Sequence, residues 1–203
     1  MSDLPQTSLV YDLNRTIRVS DQSCTGHAIL RDRYKRRSTC LDLAILLISA
    51  WLTAMVWIQP GIADQLTPFG ISRELWLGLL ALGAFCLSLV QLQVNWKERA
   101  NSHHQALATL STYVKELRVL RGSTDMGHIA AALERYQAIT EPLQSIPESD
   151  FLGLKRQHLI KMATSKHLDT HPATNLLLFR LALLWRSNVT LLDSDKEHRD
   201  EAK

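Results

Sequence analysis

Two stretches of this chain are almost free of polar side chains. Residues 40–59 read CLDLAILLISAWLTAMVWIQ, broken only by Asp42, Ser49, Thr53 and Gln59. Residues 75–94 read LWLGLLALGAFCLSLVQLQV and carry no charge at all. A helix rises about 1.5 Å per residue, so 20 residues cross a hydrocarbon core of about 30 Å. Backbone N–H and C=O groups in lipid must bond within their own segment, which predicts a helix for each stretch. Between them, Pro60, Gly61, Pro68 and Gly70 mark residues 60–74 as a loop. Ser72 is placed to cap the second helix. The pattern predicts an all-α membrane protein built on a two-transmembrane helical hairpin, with membrane helices over 40–59 and 75–94.

Beyond the second stretch the helical period continues. Trp96, Ala100, His103, Leu107, Leu110, Val114 and Leu117 recur at alternating spacings of four and three. That is a heptad seam. It predicts that the second membrane helix extends into a cytoplasmic heptad helix over 95–122. The seam is expected to contact other copies of the chain, its own C-terminal helices, or both. Gly122 to Asp125 form a break with capping residues. Residues 123–192 are expected to make a cytoplasmic helical bundle, with Ile129, Leu133 and Tyr136 on one helix face. A second helix starts at Pro147–Asp150, and a turn covers residues 167–175. Leu176–Trp185 is too short to span a bilayer and holds Arg180, so it is either a bundle core helix or an interfacial one. Residues 193–203 form a polar tail, and residues 1–39 a polar segment without the order of a signal peptide.

Charge orients the helices. Arg15, Arg18, Arg31, Arg33, Lys35, Arg36 and Arg37 precede the first stretch, and Lys97, Arg99, Lys115, Arg118 and Arg121 follow the second. Arg73 is the single basic residue of the loop. The excess of basic residues places both termini in the cytoplasm and the loop outside. Lys plus Arg total 23 against 20 acidic residues, a net charge of +3. That balance argues against a nucleic-acid partner. The juxtamembrane cluster Arg31, Arg33, Lys35, Arg36 and Arg37 is expected to meet anionic lipid head groups.

Small side chains let membrane helices approach closely. Ser49 with Thr53, and Ala50 with Ala54, stand one turn apart on the first helix, and Ala81 opens a stripe on the second. The stripe continues through Ala84, Ser88, Gln91 and Asn95. Polar groups at such positions either line a water-filled path between copies or bond helices to one another. Ala84, Ser88, Gln91 and Asn95 are thus candidate pore-lining residues, and Ser49, Ala50, Thr53, Ala54 and Ala81 candidate helix-packing residues. Asp42 lies one turn inside the basic flank and is expected to pair with Arg36 or Arg37, or to snorkel to the interface. There is no phosphate loop, nucleophile elbow or CxxC pair. Cys24, Cys40 and Cys86 suggest no disulfide framework. His167 and His171, one turn apart, have no third ligand, and His103 has no acidic partner at helical spacing. No catalytic residue, metal site or cofactor is expected, and the chain reads as a non-enzyme.

The basic run RDRYKRR, the tight pair of apolar helices and the helix WKERANSHHQALATLSTYVKELRVL resemble the SLATT family. These are two-transmembrane effector domains associated with bacterial nucleotide-signalling conflict systems. The resemblance runs from about Tyr11 into the early 190s. It rests on a pattern of helices and charges and carries over no catalytic residue. It implies a homo-oligomer in the bacterial inner membrane that forms a pore or disrupts the bilayer, arresting growth in antiviral defence. It also implies a separate nucleotide-signalling or sensor protein as trigger. A membrane-anchored adaptor that recruits a soluble partner is the alternative.

Overall fold

The computed structural model describes residues 4–58, 67, 70–123 and 125–185, with side chains described from Ser8 onward. Every regular element among them is helical apart from single turns. The helices are α1 (Leu4–Trp57), α2 (Arg73–Val94), α3 (Trp96–Leu120), α4 (Met126–Thr140) and α5 (Glu148–Thr170). A short apolar helix, α6, covers Leu176–Trp185. Two stretches, one in α1 and one beginning in α2, are long and apolar enough to cross a membrane. The polar tail falls outside the described residues, as do residues 186–192 and most of the expected loop.

The largest difference from the expectation lies at the N-terminus. Residues 4–39 are not a separate segment but the first half of one 54-residue helix that continues into the first apolar stretch. From Pro5 to Pro60 the only helix-disfavouring residue is Gly26, so nothing in the chain stops the helix. Leu13, Ile17, Ser20, His27, Leu30, Ser38, Leu41 and Met55 are buried along it. Their spacing keeps one face of α1 turned toward its partners over the whole length.

Those partners are α2 and α3, which lie beside α1 in turn. The contacts run in opposite chain directions. Arg73 donates to the carbonyl of Met55 at 2.9 Å, satisfying one of the orphan acceptors in the last turn of α1. Gln91 reaches Asp42, His103 reaches His27, and Arg118 grips Asp21 with contacts of 2.7 and 2.8 Å. Within the apolar stretches the half-buried residues of α2 include Leu77, Leu80, Ala84, Leu87 and Gln91. On α1 they are Asp42, Ala44, Ile45, Ile48 and Leu52, between buried Leu41 and Met55. Within one chain the half-buried positions are thus mainly large aliphatic side chains, joined by Ala44 and Ala84, and none of the candidate packing residues is among them. Leu75, Leu79, Leu82 and Leu89 remain exposed on the outer face of α2.

The second helix does not run on as one uninterrupted rod. Asn95 separates α2 from α3 with φ 48° and ψ 49°, a left-handed conformation that Asn tolerates better than most side chains. Its N–H still bonds the carbonyl of Gln91, and its side chain donates to Glu98. Ser72 precedes α2 as expected but makes no side-chain cap bond.

The seam on α3 is occupied from within the chain. His103, Ala106, Leu110, Tyr113, Val114 and Leu117 are buried, while Leu107 is only half-buried. Leu13 and Ile17 of α1, Tyr113 and Leu117 of α3, and Ile129 and Ala132 of α4 form one hydrophobic cluster, with Leu133, Tyr136 and Ile139 at its edge. The expectation that the seam contacts other copies or the C-terminal helices omitted its main partner, the N-terminal half of α1. Asp125 caps α4 by accepting from the N–H groups of Gly127 and His128. Those bonds hold its carboxyl below the usual range. Arg135 adds a two-pronged pair with Glu116, at 3.0 and 3.1 Å.

The Tyr113 hydroxyl donates to the carbonyl of Ala132 at 2.9 Å. Burial pushes the phenol up to about 12, so it remains a donor at any physiological pH. Replacing Tyr113 with Phe removes this bond between α3 and α4 and should cost about 1 kcal/mol. Thermal unfolding in detergent measures this, and an unchanged melting temperature would show that the bond contributes nothing.

The chain divides into two compact units, Met1–Ser145 and Ile146–Lys203. The expected bundle over 123–192 is thus split, because α4 belongs with α1 and α3. In the second unit α5 extends to Thr170, beyond the expected start of the turn. His167 stacks on Phe179 of α6 with ring centroids 4.1 Å apart and on His171 at 4.9 Å. Stacked in this way, His167 and His171 serve as packing residues. Leu177 and Trp185 of α6 are 72% and 75% exposed, so α6 is not enclosed within its own unit.

Candidate functional site

Polar side chains gather where the two apolar stretches end. Asp42 stands on α1 two residues into its stretch. Gln91 donates to one carboxylate oxygen of Asp42 at 2.6 Å, and Lys97 lies 2.9 Å from the other. Sequence reasoning expected Arg36 or Arg37 as the partner. Both follow the α1 axis on exposed positions, whereas Lys97 comes from α3 across the helix contact. A partner on a neighbouring helix leaves no trace in local spacing. Removing Lys97 would strand Asp42 beside a single neutral donor, so the three groups act as one unit.

Next to this trio lies a cavity of about 380 Å³. Ser38, Ser88, Gln91, Asn95 and Lys97 contribute its polar wall, and Leu41, Leu92 and Trp96 its apolar one. Three of the four candidate pore-lining residues, Ser88, Gln91 and Asn95, therefore meet in one concavity of a single chain. Ala84 is half-buried one turn away and accepts the Ser88 hydroxyl at its carbonyl, 2.9 Å. The candidate packing residues Ser49, Ala50, Thr53, Ala54 and Ala81 are all exposed. Thr53 turns its hydroxyl back to the carbonyl of Ser49 at 2.9 Å, which satisfies it without any partner helix.

The basic flank divides. Arg31 and Lys35 line a second cavity, of about 600 Å³, between α1 and α3. Arg36 and Arg37 are exposed elsewhere on α1, and Arg33 is half-buried.

A further polar contact had no counterpart in the sequence reading. His27 on α1 and His103 on α3 are 4% and 1% exposed, and their Nδ1 atoms lie 3.0 Å apart. Tyr34 stacks parallel on His103 with centroids 5.6 Å apart. At that distance one Nδ1 carries a hydrogen and the other accepts it, so the accepting ring must be neutral. Burial, then the neighbouring His103, brings His27 down to about 4, and burial lowers His103 as well. His27 and Tyr34 continue the seven-residue spacing of buried positions on α1, the one signal that would have pointed to them.

Among the described residues no group of three or more His, Cys, Asp or Glu side chains gathers as a metal site would require. Comparison with protein-family models, curated proteins and solved structures finds no match.

Proposed function

We propose that this protein is a SLATT-like membrane effector of bacterial defence. In this reading both apolar stretches span the inner membrane as a hairpin, with both termini in the cytoplasm. Several copies then assemble to form a pore or disrupt the bilayer, arresting growth. The observation that carries the reading is the joining of Ser88, Gln91 and Asn95 to Asp42 and Lys97 at one end of two membrane-length helices. Polar groups so placed usually face protein or water. The exposed small residues Ser49, Ala50, Thr53, Ala54 and Ala81 supply faces for close approach between copies. Cyclic symmetry is the ordinary form for such an assembly. The function is non-enzymatic, and a separate nucleotide-signalling or sensor protein supplies the trigger.

Replacing Ser88 and Gln91 together with Leu tests it. Potassium leakage and growth arrest should disappear on induced expression, because a path without hydrogen-bonding groups dewets. The protein should still accumulate in membranes, and its oligomer size on the same membranes should be unchanged. Loss of oligomers before leakage would assign the two residues to helix bonding instead. Full leakage from the double variant would end the pore-lining reading.

An adaptor that recruits a soluble partner is the second reading. The exposed Leu152 and Leu159 of α5, with Leu177, Leu181 and Trp185 of α6, favour it. No leakage from the unaltered protein, in the presence of its trigger, would turn the choice that way.

A further inference from the structure

The second cavity, between α1 and α3, has a composition that the proposed pore does not use. Arg31, Asp32, Lys35, Thr39 and Asp42 line it from α1, and Lys97, Asn101 and His104 from α3. Its volume of about 600 Å³ falls in the range of small-ligand sites, roughly 300–1,000 Å³. Two of its cations are already engaged. Arg31 lies 2.7 Å from Asp32, and Lys97 lies 2.9 Å from Asp42. Among the described residues Lys35 has no carboxylate partner. Arg31, Lys35 and Lys97 face Asp32 and Asp42, leaving one positive charge among the Lys, Arg and carboxylate groups that line the cleft.

One uncompensated positive charge matches a phosphodiester, which carries one negative charge. The position of the cleft narrows the source. Asp42 and Lys97 close its end next to the apolar stretches, which begin at Cys40 and end at Val94. A group bound there sits beside the last apolar residues of both helices, at head-group depth if those helices span a bilayer. We propose that the cleft holds the phosphate of an anionic phospholipid, with Arg31 and Lys35 on one side and Lys97 and His104 on the other. The choice of lipid as source rests on the membrane reading above; the phosphate site itself does not. Bound there, the lipid bridges α1 to α3 just outside the apolar stretches. Arg36 and Arg37 take no part, although they belong to the same basic run.

Native mass spectrometry of the full chain released from detergent tests the site. A non-ionic detergent micelle has no charged surface, so retention that depends on lipid charge reports a protein site. Phosphatidylglycerol should be retained over phosphatidylcholine. Arg31→Gln with Lys35→Gln should weaken its retention about tenfold, since each cation near an anionic head group contributes measurably. Arg36→Gln with Arg37→Gln, an equal loss of charge, should leave it unchanged. Lys35→Gln alone, at an exposed position, serves if the first pair does not fold. Equal retention of the two lipids, or equal loss in both double variants, overturns the proposal. Displacement by sn-glycerol 3-phosphate would keep the phosphate site but assign it to a soluble ligand. Resistance to displacement would assign it to lipid. Leakage is not read in this experiment, so a failed pore and a failed lipid site are told apart.

Discussion

Leu110→Asp is expected to detach α3 from its neighbours and to unfold the helical part outside the apolar stretches. Leu110 is 1% exposed within a single chain. An ionised carboxylate there would be cut off from water. Burying an unpaired charge costs several kcal/mol, comparable to the whole stability of a domain. Leu→Ala at a comparable site costs about 2–5 kcal/mol and leaves only a cavity. The acid variant should therefore be the more damaging of the two. Leu107→Asp should be far milder, because Leu107 is only half-buried and its carboxylate can reach water. Limited proteolysis of the two variants in membranes compares them directly. Equal resistance would mean that α3 is not held from within the chain. The same contrast separates folding from assembly: a change in cross-linked oligomers caused by Leu107→Asp alone reports contacts between copies.

Acidification is expected to weaken the contact between α1 and α3 through His27. Its value falls from 6.5 to about 4 in the folded chain, chiefly because burial disfavours the charged ring. Between those two pH values the unfolded chain binds more protons than the folded one. Stability then rises with pH across this window, is fully present above about 6.5, and is lost progressively toward pH 4. The contribution is at most about 3 kcal/mol. Protonation of both rings would also abolish the bond between them, since two Nδ1–H groups cannot donate to each other. His27→Gln keeps one donor and one acceptor but does not titrate. Thermal unfolding at pH 7 and pH 4.5 should show a larger drop for the unaltered chain than for this variant. Equal drops would show that the pair does not govern acid sensitivity.

The parts of the molecule with uniform composition were legible along the chain. Both apolar stretches and the helix break at Gly122–Asp125 are set by local rules: run length and capping chemistry. The N-terminal half of α1 was not legible. Its inward face carries Ser20, His27, Tyr34 and Ser38 beside Leu13, Ile17 and Leu30, so its apolar period is diluted and reads as polar chain. Only the neighbouring α3, with its own buried face, turns that diluted pattern into a contact surface.

The candidate site shows the same division. The stripe Ala84, Ser88, Gln91, Asn95 follows from helical spacing on one element, and the structure brings its polar members to one cavity. Their partners do not follow. Asp42 with Lys97, His27 with His103 and Asp21 with Arg118 lie far apart in the chain, joined by the antiparallel alignment of α1 against α2 and α3. By itself the sequence determined which segments suit a bilayer and, outside residues 4–39, which segments are helical, because backbone satisfaction and side-chain periodicity are local properties. Only the tertiary structure decided which polar groups neutralise one another and which cation is left over, because charge pairing and burial depend on the neighbouring helix.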